Sequence, residues 1–255
     1  MEVHHHSHKP KNWKEHITEF IMLFAAVSLG FLAENVREHQ IETKRGEVYL
    51  AELETDLRND SIGLYGITFL IQNQKEAADS IYELYKNKSW ESRINQLYFF
   101  HSILSLRTNW EPNDATWEQA INSGTLRYLD NKELVKKLKE YYFQIKNMKN
   151  RENRILTMMD NYFEEYRQNH FVSPSVTGNK DFAGILDIIN KNSKPKMPVF
   201  TANQKILNRD KFDFETYVNQ IARLQGTRNQ DLNLFIFKAI DMNKELLTML
   251  REERK

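Results

Sequence analysis

The chain has 255 residues, of which 40% are hydrophobic and 28% are charged, with only 8 glycines and 5 prolines. This length is enough to bury a sizeable core, and the scarcity of helix breakers favours long helices over a strand-and-turn architecture. A formal net charge of +1 and the absence of cysteine argue against a surface built wholly to grip nucleic acid and exclude disulfides and thiolate metal sites.

Residues 1–16 form a short tail that is rich in histidine and lysine. His4, His5, His6 and His8 could bind a metal ion, but nothing in the tail fixes their geometry. A purification tag or a solvated tail explains the same residues. We expect no metal site here.

Segment 17–36 is predicted to be a transmembrane anchor. Its stretch FIMLFAAVSLGFLA has no charge over fourteen positions and is apolar on every side. Fourteen helical residues rise only about 21 Å, short of a hydrocarbon core of roughly 30 Å. The flanks extend the span, because a helix from Trp13 to Arg37 covers about 36 Å and begins with interfacial residues. A cleaved signal and a soluble core helix are the alternatives.

Two further features of this region bear on partners and orientation. Ala26 and Gly30 form a small-xxx-small pair, so we expect self-association or contact with another membrane protein. Lys9, Lys11 and Lys14 precede the anchor, and as many basic residues follow it. The counts tie, but the basic residues that follow are mixed with Glu34, Glu38, Glu42 and Glu47, whereas the preceding lysines have few acidic neighbours. Because acidic residues count for little in the positive-inside rule, the resulting preference for a cytoplasmic N-terminus is modest. We expect a bacterial inner-membrane protein whose main domain is periplasmic.

Three long stretches with 4-3 apolar spacing occupy the domain at 37–255. They run from Leu50 to Tyr85, from Leu134 to Tyr166 and from Phe214 to Met249. Such spacing predicts helices packed in a bundle or coiled coil. The 4-3 spacing of the first stretch, extended toward the N-terminus, meets Val36 and Leu32. The anchor is therefore expected to continue into this helix without a break. The predicted fold class is therefore all-α: a transmembrane helix continuing into an elongated bundle.

The apolar positions of each stretch form a stripe along its helix, which we call a seam. Polar residues interrupt each of these seams. Asp60 and Gln74 lie in the first, Glu152 in the second, and Gln225 and Arg228 in the third. A charge buried alone is costly, so we predict that Arg228 meets Glu152 or Asp60 in a polar layer that fixes helix register.

The alternative for the third seam is a local loosening of the helix. Gly226 costs helix stability there, and Arg228 would then point to water.

Shorter elements connect the seams. Residues 94–107 should form a buried helix, and ATWEQAINSG a short one that is capped by Asn113 or Asp114 and closed by Gly124. Asp130 or Asn131 should cap the second long helix. The prolines and glycine near 171–199 predict a mobile loop.

The segment ATWEQAINSGTLRYLDNKELVKKLKEYY, together with the N-terminal phrases MEVHHHSH, GFLAEN and REH, carries a resemblance. It resembles an uncharacterised family of single-anchor membrane proteins from Bacteroidota-type bacteria, a domain of unknown function. The resemblance implies that the histidines are native and supports the anchor and the helical domain. It implies no catalytic residue.

Basic residues cluster on the second long helix, where Lys132, Lys136, Lys139 and Lys146 lie close together. They form a possible anion-binding stripe for lipid headgroups, glycans or nucleic acid. The simpler interpretation is a solvated helix face that nearby acidic segments neutralise.

Motifs for chemistry are scarce. The sequence has no HExxH and no glycine-rich phosphate loop, and His39, His101 and His170 each lack the preceding Glu of an ExxH pair. His101 should be a hydrogen-bonded histidine of the core or its edge. We expect no catalytic residue, no cofactor and no nucleic-acid partner. The expected function is that of a membrane-anchored assembly or accessory subunit; the alternative is an extracytoplasmic ligand-binding sensor domain.

Overall fold

The described residues fold into an all-α bundle, as the sequence predicts. A computed structural model describes residues 12–107, 110–129, 131–173, 193–197, 199–200 and 202–253. The helices in these ranges are α1 (Trp13–Lys86), α2 (Ile94–Leu104), α3 (Ala115–Ser123), α4 (Lys132–Met159), α5 (Glu165–His170), α6 (Phe214–Asp231) and α7 (Phe237–Glu253). The tail at 1–11 and most of the loop predicted at 171–199 lie outside the described residues.

Helix α1 is a single helix of 74 residues. The predicted continuity between the apolar N-terminal segment and the first seam is therefore confirmed. Its side chains are almost all exposed as far as Arg45, and packing against the bundle begins at Gly46. Within the described residues, α1 is the helix whose length and apolar composition would allow it to cross a membrane, and its apolar window is not buried by other parts of the chain.

Burial along the rest of α1 follows the predicted 4-3 frame. Every seam position from Leu50 to Ile81 is buried, including Asp60 and Gln74. The prediction is wrong only for Tyr85, which is 38% exposed near the C-terminal end of the helix, where the bundle no longer covers that face.

The other two long helices are interrupted by π-helical turns. One turn, Asp160–Glu164, joins α4 to α5, and the other, Leu232–Ile236, joins α6 to α7. A π turn contains one residue more than an α turn, so it rotates the following residues relative to the bundle. The sequence pattern predicts uninterrupted helices at both places.

The π turns change which residues are buried after them. In α7 and the turn before it, Ile236, Asn243 and Leu250 are buried, each one residue later than a predicted seam position. The predicted residues at those places are only partly buried: Phe235, Met242 and Met249. On the other helix, Phe163 is buried one residue after the predicted Tyr162, whose side chain lies outside the described set.

Two apolar cores follow one another along α1. The proximal core, nearer the exposed end of α1, contains Leu53, Leu57, Leu134, Tyr141 and Leu246, together with other buried residues. The distal core contains Ile81, Leu97, Ile103, Tyr217 and Ile221, together with other buried residues. Helix α1 contributes to both cores and therefore joins them.

The short elements largely follow their sequence signals. Helix α2 is a buried helix as predicted, and Gly124 ends α3 with a φ of 70°. Asn131 caps α4, where its Oδ1 accepts a hydrogen bond from the Leu134 N–H at 3.0 Å. The predicted cap of α3 is wrong: Asp114 makes no side-chain cap bond, and the Asn113 side chain donates to Asp60 instead.

Two helical glycines provide a matched test of packing. A Cβ on Gly63 would lie 1.9 Å from Trp110 Nε1, whereas a Cβ on Gly226 would meet no heavy atom within 4 Å. Gly63→Ala should therefore lower the free energy of unfolding by about 1–3 kcal/mol, because the indole must move. Gly226→Ala should raise it by about 0.5–1 kcal/mol through helix propensity.

Urea unfolding of the full-length chain in mild detergent, followed by tryptophan fluorescence, measures both changes. Equal effects of the two substitutions would contradict the packing of Trp110 on Gly63.

Candidate functional site

The charged seam residues do not form the predicted pair. In the described part of the chain, no ion pair joins Arg228 to Glu152 or to Asp60; Arg228 donates to a sulfur and Glu152 pairs with Lys149. The alternative is also wrong, because Arg228 is only 5% exposed and does not point to water.

Glu152 lines the same cavity as Arg228 but pairs with Lys149 instead, whereas Asp60 lies at a different position along α1. Arg228 lines the same cavity as Gln74, and Gln74 lies about 21 Å beyond Asp60 along α1 at 1.5 Å per residue.

Asp60 belongs to a separate polar network inside the proximal core. Its Oδ1 accepts hydrogen bonds from the backbone and side-chain N–H groups of Asn113 at 2.8 and 3.0 Å. Its Oδ2 accepts one from the Tyr141 hydroxyl at 2.9 Å. Asn243 donates to Tyr141 Oη at 3.3 Å and to the carbonyl of Leu57 at 2.8 Å. This network ties α4, α7 and the segment before α3 to α1.

A charged layer lies where the two apolar cores meet. It contains Gln74 of α1, Arg151 and Glu152 of α4, and Arg228 and Asp231 of α6, which line one cavity. The cavity holds about 60 Å³, several times the space that one buried water needs. Residues of both cores line the cavity, and its volume leaves room for a small occupant.

Arg228 is a buried cation without a carboxylate partner among the described residues. Its Nη2 donates to the sulfur of Met159 at 2.9 Å, which is a weak acceptor. Its Nη1 has no hydrogen-bond partner among the described residues. Burial lowers the pKa of Arg228 to about 10, so the guanidinium remains charged at neutral pH.

The two carboxylates of the layer are only half satisfied. Glu152 Oε2 forms an ion pair with Lys149 Nζ at 3.0 Å, but neither of its carboxylate oxygens makes a hydrogen bond in the described ranges. Desolvation raises the pKa of Glu152 in spite of Lys149. Asp231 pairs through Oδ1 with Arg151, and its buried Oδ2 likewise has no partner among the residues described.

The predicted lysine stripe lies on the exposed side of α4. Lys132 Nζ donates to the carbonyl of Leu129 at 2.8 Å, and Lys136 lies 3.9 Å from Glu133. Neither Lys139 nor Lys146 forms an ion pair with a described residue, and Phe143 between them is 66% exposed. An anion-binding role for the stripe stays a prediction.

Neighbouring basic residues of α4 pair with acidic residues of other elements and of α4 itself. Lys137 pairs with Glu245 of α7, and Lys149 pairs with Glu111 and Glu152. Arg151 pairs with Asp231 of α6, so the acidic partners of this helix come from α6, from α7, from the segment before α3 and from α4 itself.

His101 lies in the distal core, as the sequence predicts. Its Nδ1 is 2.8 Å from the Tyr217 hydroxyl, and its ring stacks on Phe171 at 3.9 Å between centroids. Burial lowers its pKa to about 3. The described residues contain no group of three or more side chains suited to holding a metal ion.

The predicted packing pair of the anchor lies on a face without neighbours. Ala26 and Gly30 are exposed, and a Cβ on Gly30 would meet nothing within 4 Å. A second helix could approach this face closely, but the contact itself stays a prediction.

Comparison with known proteins gives no further guidance: no protein-family model, curated protein or solved structure matches this chain. The resemblance to single-anchor proteins therefore remains a prediction, and the arguments below rest on this structure.

Sequence reasoning finds three members of the charged layer and misses two. Glu152, Arg228 and Gln74 interrupt apolar seams and are found by that signal. Arg151 and Asp231 lie beside the seams, where charged residues are usually solvated. Their pairing across two helices has no signal in the spacing of either helix alone.

The Asp60 network predicts a specific pH dependence of stability. Burial raises the pKa of Asp60 above its ordinary value of 3.8, although its hydrogen bonds from Asn113 and Tyr141 act in the opposite direction. The folded state therefore holds the Asp60 proton more tightly than the unfolded chain. The stability gained in this way is fully present below pH 3.8 and is lost as the pH rises through the folded-state pKa.

Asp60→Asn removes this ionisation. The free energy of unfolding of the Asp60→Asn variant should increase relative to that of the wild type as the pH rises from about 4. The increase should be at most about 1.4 kcal/mol per pH unit. Urea unfolding at several pH values measures the difference, and Asp79→Asn on the exposed side of α1 corrects for the loss of one carboxylate. A difference that does not vary with pH would show that Asp60 does not titrate as described.

Proposed function

We propose that this chain is a single-pass membrane protein whose helical domain acts through protein–protein contacts, as a non-enzymatic assembly or accessory subunit. The observation that carries the proposal is the exposed apolar segment near the N-terminal end of α1. Large apolar side chains there are more than half exposed on all sides of the helix, including Phe20, Leu23, Phe24 and Phe31. Soluble proteins rarely leave such a surface uncovered, and a lipid bilayer covers every side at once.

The continuity of α1 supports a mechanical role for the segment between membrane and bundle. From Arg37 to Arg45 the helix carries many charged residues, and almost all of its side chains are exposed. A helix in this position holds the bundle at a fixed distance from the bilayer, because its own backbone hydrogen bonds keep it straight. An accessory subunit that presents a rigid domain needs such a spacer.

Self-association through the anchor is the proposed contact. Ala26 and Gly30 present a small, unobstructed face, and small residues let helix backbones approach closely in lipid. Contact with a different membrane protein through the same face is the second form of this proposal.

The non-enzymatic part of the proposal draws support from His101. This residue is enclosed in the distal core, and its pKa of about 3 makes it a poor base at neutral pH.

The proposed location is a bacterial inner membrane, with the N-terminus in the cytoplasm and the bundle in the periplasm. The lysines before the anchor support this orientation through the positive-inside rule. Protease added to spheroplasts should then remove the bundle, and protection of the bundle would reverse the orientation.

Membrane integration is tested by a charge in the middle of the apolar segment. Val27→Arg should convert the protein to a form that alkaline carbonate releases, because an arginine at mid-span costs roughly 2.5–3.5 kcal/mol on insertion scales. Val48→Arg is the matched control, since Val48 is exposed beyond the proposed span, and it should remain in the carbonate-resistant fraction. Carbonate release of the wild type would contradict the anchor.

Self-association is tested by crosslinking in native membranes. Ala26→Ile and Gly30→Ile should reduce the crosslinked dimer at least several-fold, because the larger side chains separate the helix backbones. Ser28→Ile adds a similar volume about half a turn away and should leave the dimer unchanged. Equal effects of all three substitutions, or no dimer in the wild type, would contradict the proposed contact.

A further inference from the structure

The cavity in the charged layer has the walls of a binding site for a small molecule. Most of its lining residues are apolar, and polar groups converge on it from α1, α4 and α6. An apolar pocket with a few convergent polar groups is the usual form of a small-ligand site. The apolar residues of the wall include Ile67, Leu70, Ile71, Met148, Ile155 and Ile236.

The charges around the cavity leave one cation unmatched. Arg107 pairs with Asp160, and Arg151 pairs with Asp231. Arg228 alone of the three lining arginines has no carboxylate among the described residues, and its Nη1 has no hydrogen-bond partner there. A buried, unpaired guanidinium costs stability unless an anion joins it.

Acceptors without donors lie on the same cavity. Within the described residues, Glu152 Oε1 and Asp231 Oδ2 are buried and make no hydrogen bond. Both belong to side chains that line the cavity together with Arg228. The site thus offers a cationic donor and two carboxylate acceptors, and an occupant that satisfies all of them must carry both an acceptor and a donor.

Water alone meets these needs poorly. The cavity of about 60 Å³ has room for several waters, and they could bond to each group. They would supply no counter-charge to Arg228, however, and they would wet an aliphatic wall, which is unfavourable.

We infer that this cavity binds a small zwitterion with an aliphatic body, the chemistry of an aliphatic α-amino acid. Its carboxylate accepts hydrogen bonds from Arg228, and its ammonium donates to Glu152 and Asp231. The hydrocarbon side chain lies against the isoleucines and leucines of the wall. This inference goes beyond the proposed assembly function and does not depend on it, because it concerns the interior of the bundle.

The test measures the binding of three related probes to the full-length protein in mild detergent, by isothermal titration calorimetry. L-Leucine carries both charges, 4-methylpentanoate lacks the ammonium, and isopentylamine lacks the carboxylate. L-Leucine should bind at least tenfold more tightly than either analogue, because each analogue leaves buried charged groups unpaired.

Variants identify the groups that bind each end of the probe. Arg228→Met should weaken L-leucine binding at least tenfold and leave isopentylamine binding unchanged. Glu152→Gln should bring the affinity for L-leucine close to that for 4-methylpentanoate. Arg223→Met is the matched control, since Arg223 lies on the exposed side of the same helix, and it should bind all three probes as the wild type does.

The folding of each variant is checked by its urea unfolding midpoint. Arg228→Met should unfold at the same or a higher urea concentration than the wild type without ligand, because it removes an unpaired buried charge.

Three results would overturn the inference. They are the absence of L-leucine binding to the wild type at millimolar concentration, equal affinity for L-leucine and either analogue, and L-leucine binding that survives Arg228→Met. The wild-type comparison decides the matter even if Arg228→Met fails to fold. Because binding is measured on purified protein, its failure is distinct from a failure of crosslinking in membranes.

Discussion

Backbone hydrogen bonding within α1 is the constraint on which the rest of the structure depends. A helix pairs its N–H and C=O groups internally, so it can pass from an apolar environment into a protein core without exposing unpaired backbone. Helix α1 uses this property over 74 residues, from a fully exposed apolar segment to the end of the distal core. Both apolar cores include residues of α1, so the position of the bundle follows from this helix.

Two buried polar groups interrupt the cores, and they differ in how well they are satisfied. Asp60 receives three hydrogen bonds, from Asn113 and Tyr141, and this network fixes neighbouring helices against α1. Both carboxylate oxygens of Asp60 are therefore hydrogen-bonded, whereas a buried polar group that lacks partners costs stability. No carboxylate among the described residues pairs with Arg228. The loss of stability from the buried, unpaired Arg228 would be offset by a bound ligand whose carboxylate pairs with it.

The sequence predicts those features that one helix determines by itself. The 4-3 spacing of α1 correctly places Asp60 and Gln74 in the interior, because burial there depends only on helical period. The spacing of the third stretch is only partly correct beyond Leu232: Ala239 and Leu246 are buried as predicted, but after the π turn Ile236 and Asn243 are buried instead of Phe235 and Met242. That Arg228 donates to Met159 and pairs with no described carboxylate could not be predicted either, because it depends on contacts between helices, which no single-helix pattern records.

Helix continuity across the proposed membrane boundary can be measured directly. The chain has no cysteine, so spin labels can be attached to introduced cysteines alone, at Arg37→Cys and Thr55→Cys. Both positions are exposed, and a continuous helix separates their Cα atoms by about 27 Å at 1.5 Å per residue. Double electron–electron resonance in lipid should give one narrow distribution near that distance. A broad or much shorter distribution would contradict a single helix that carries the chain from the membrane into the bundle.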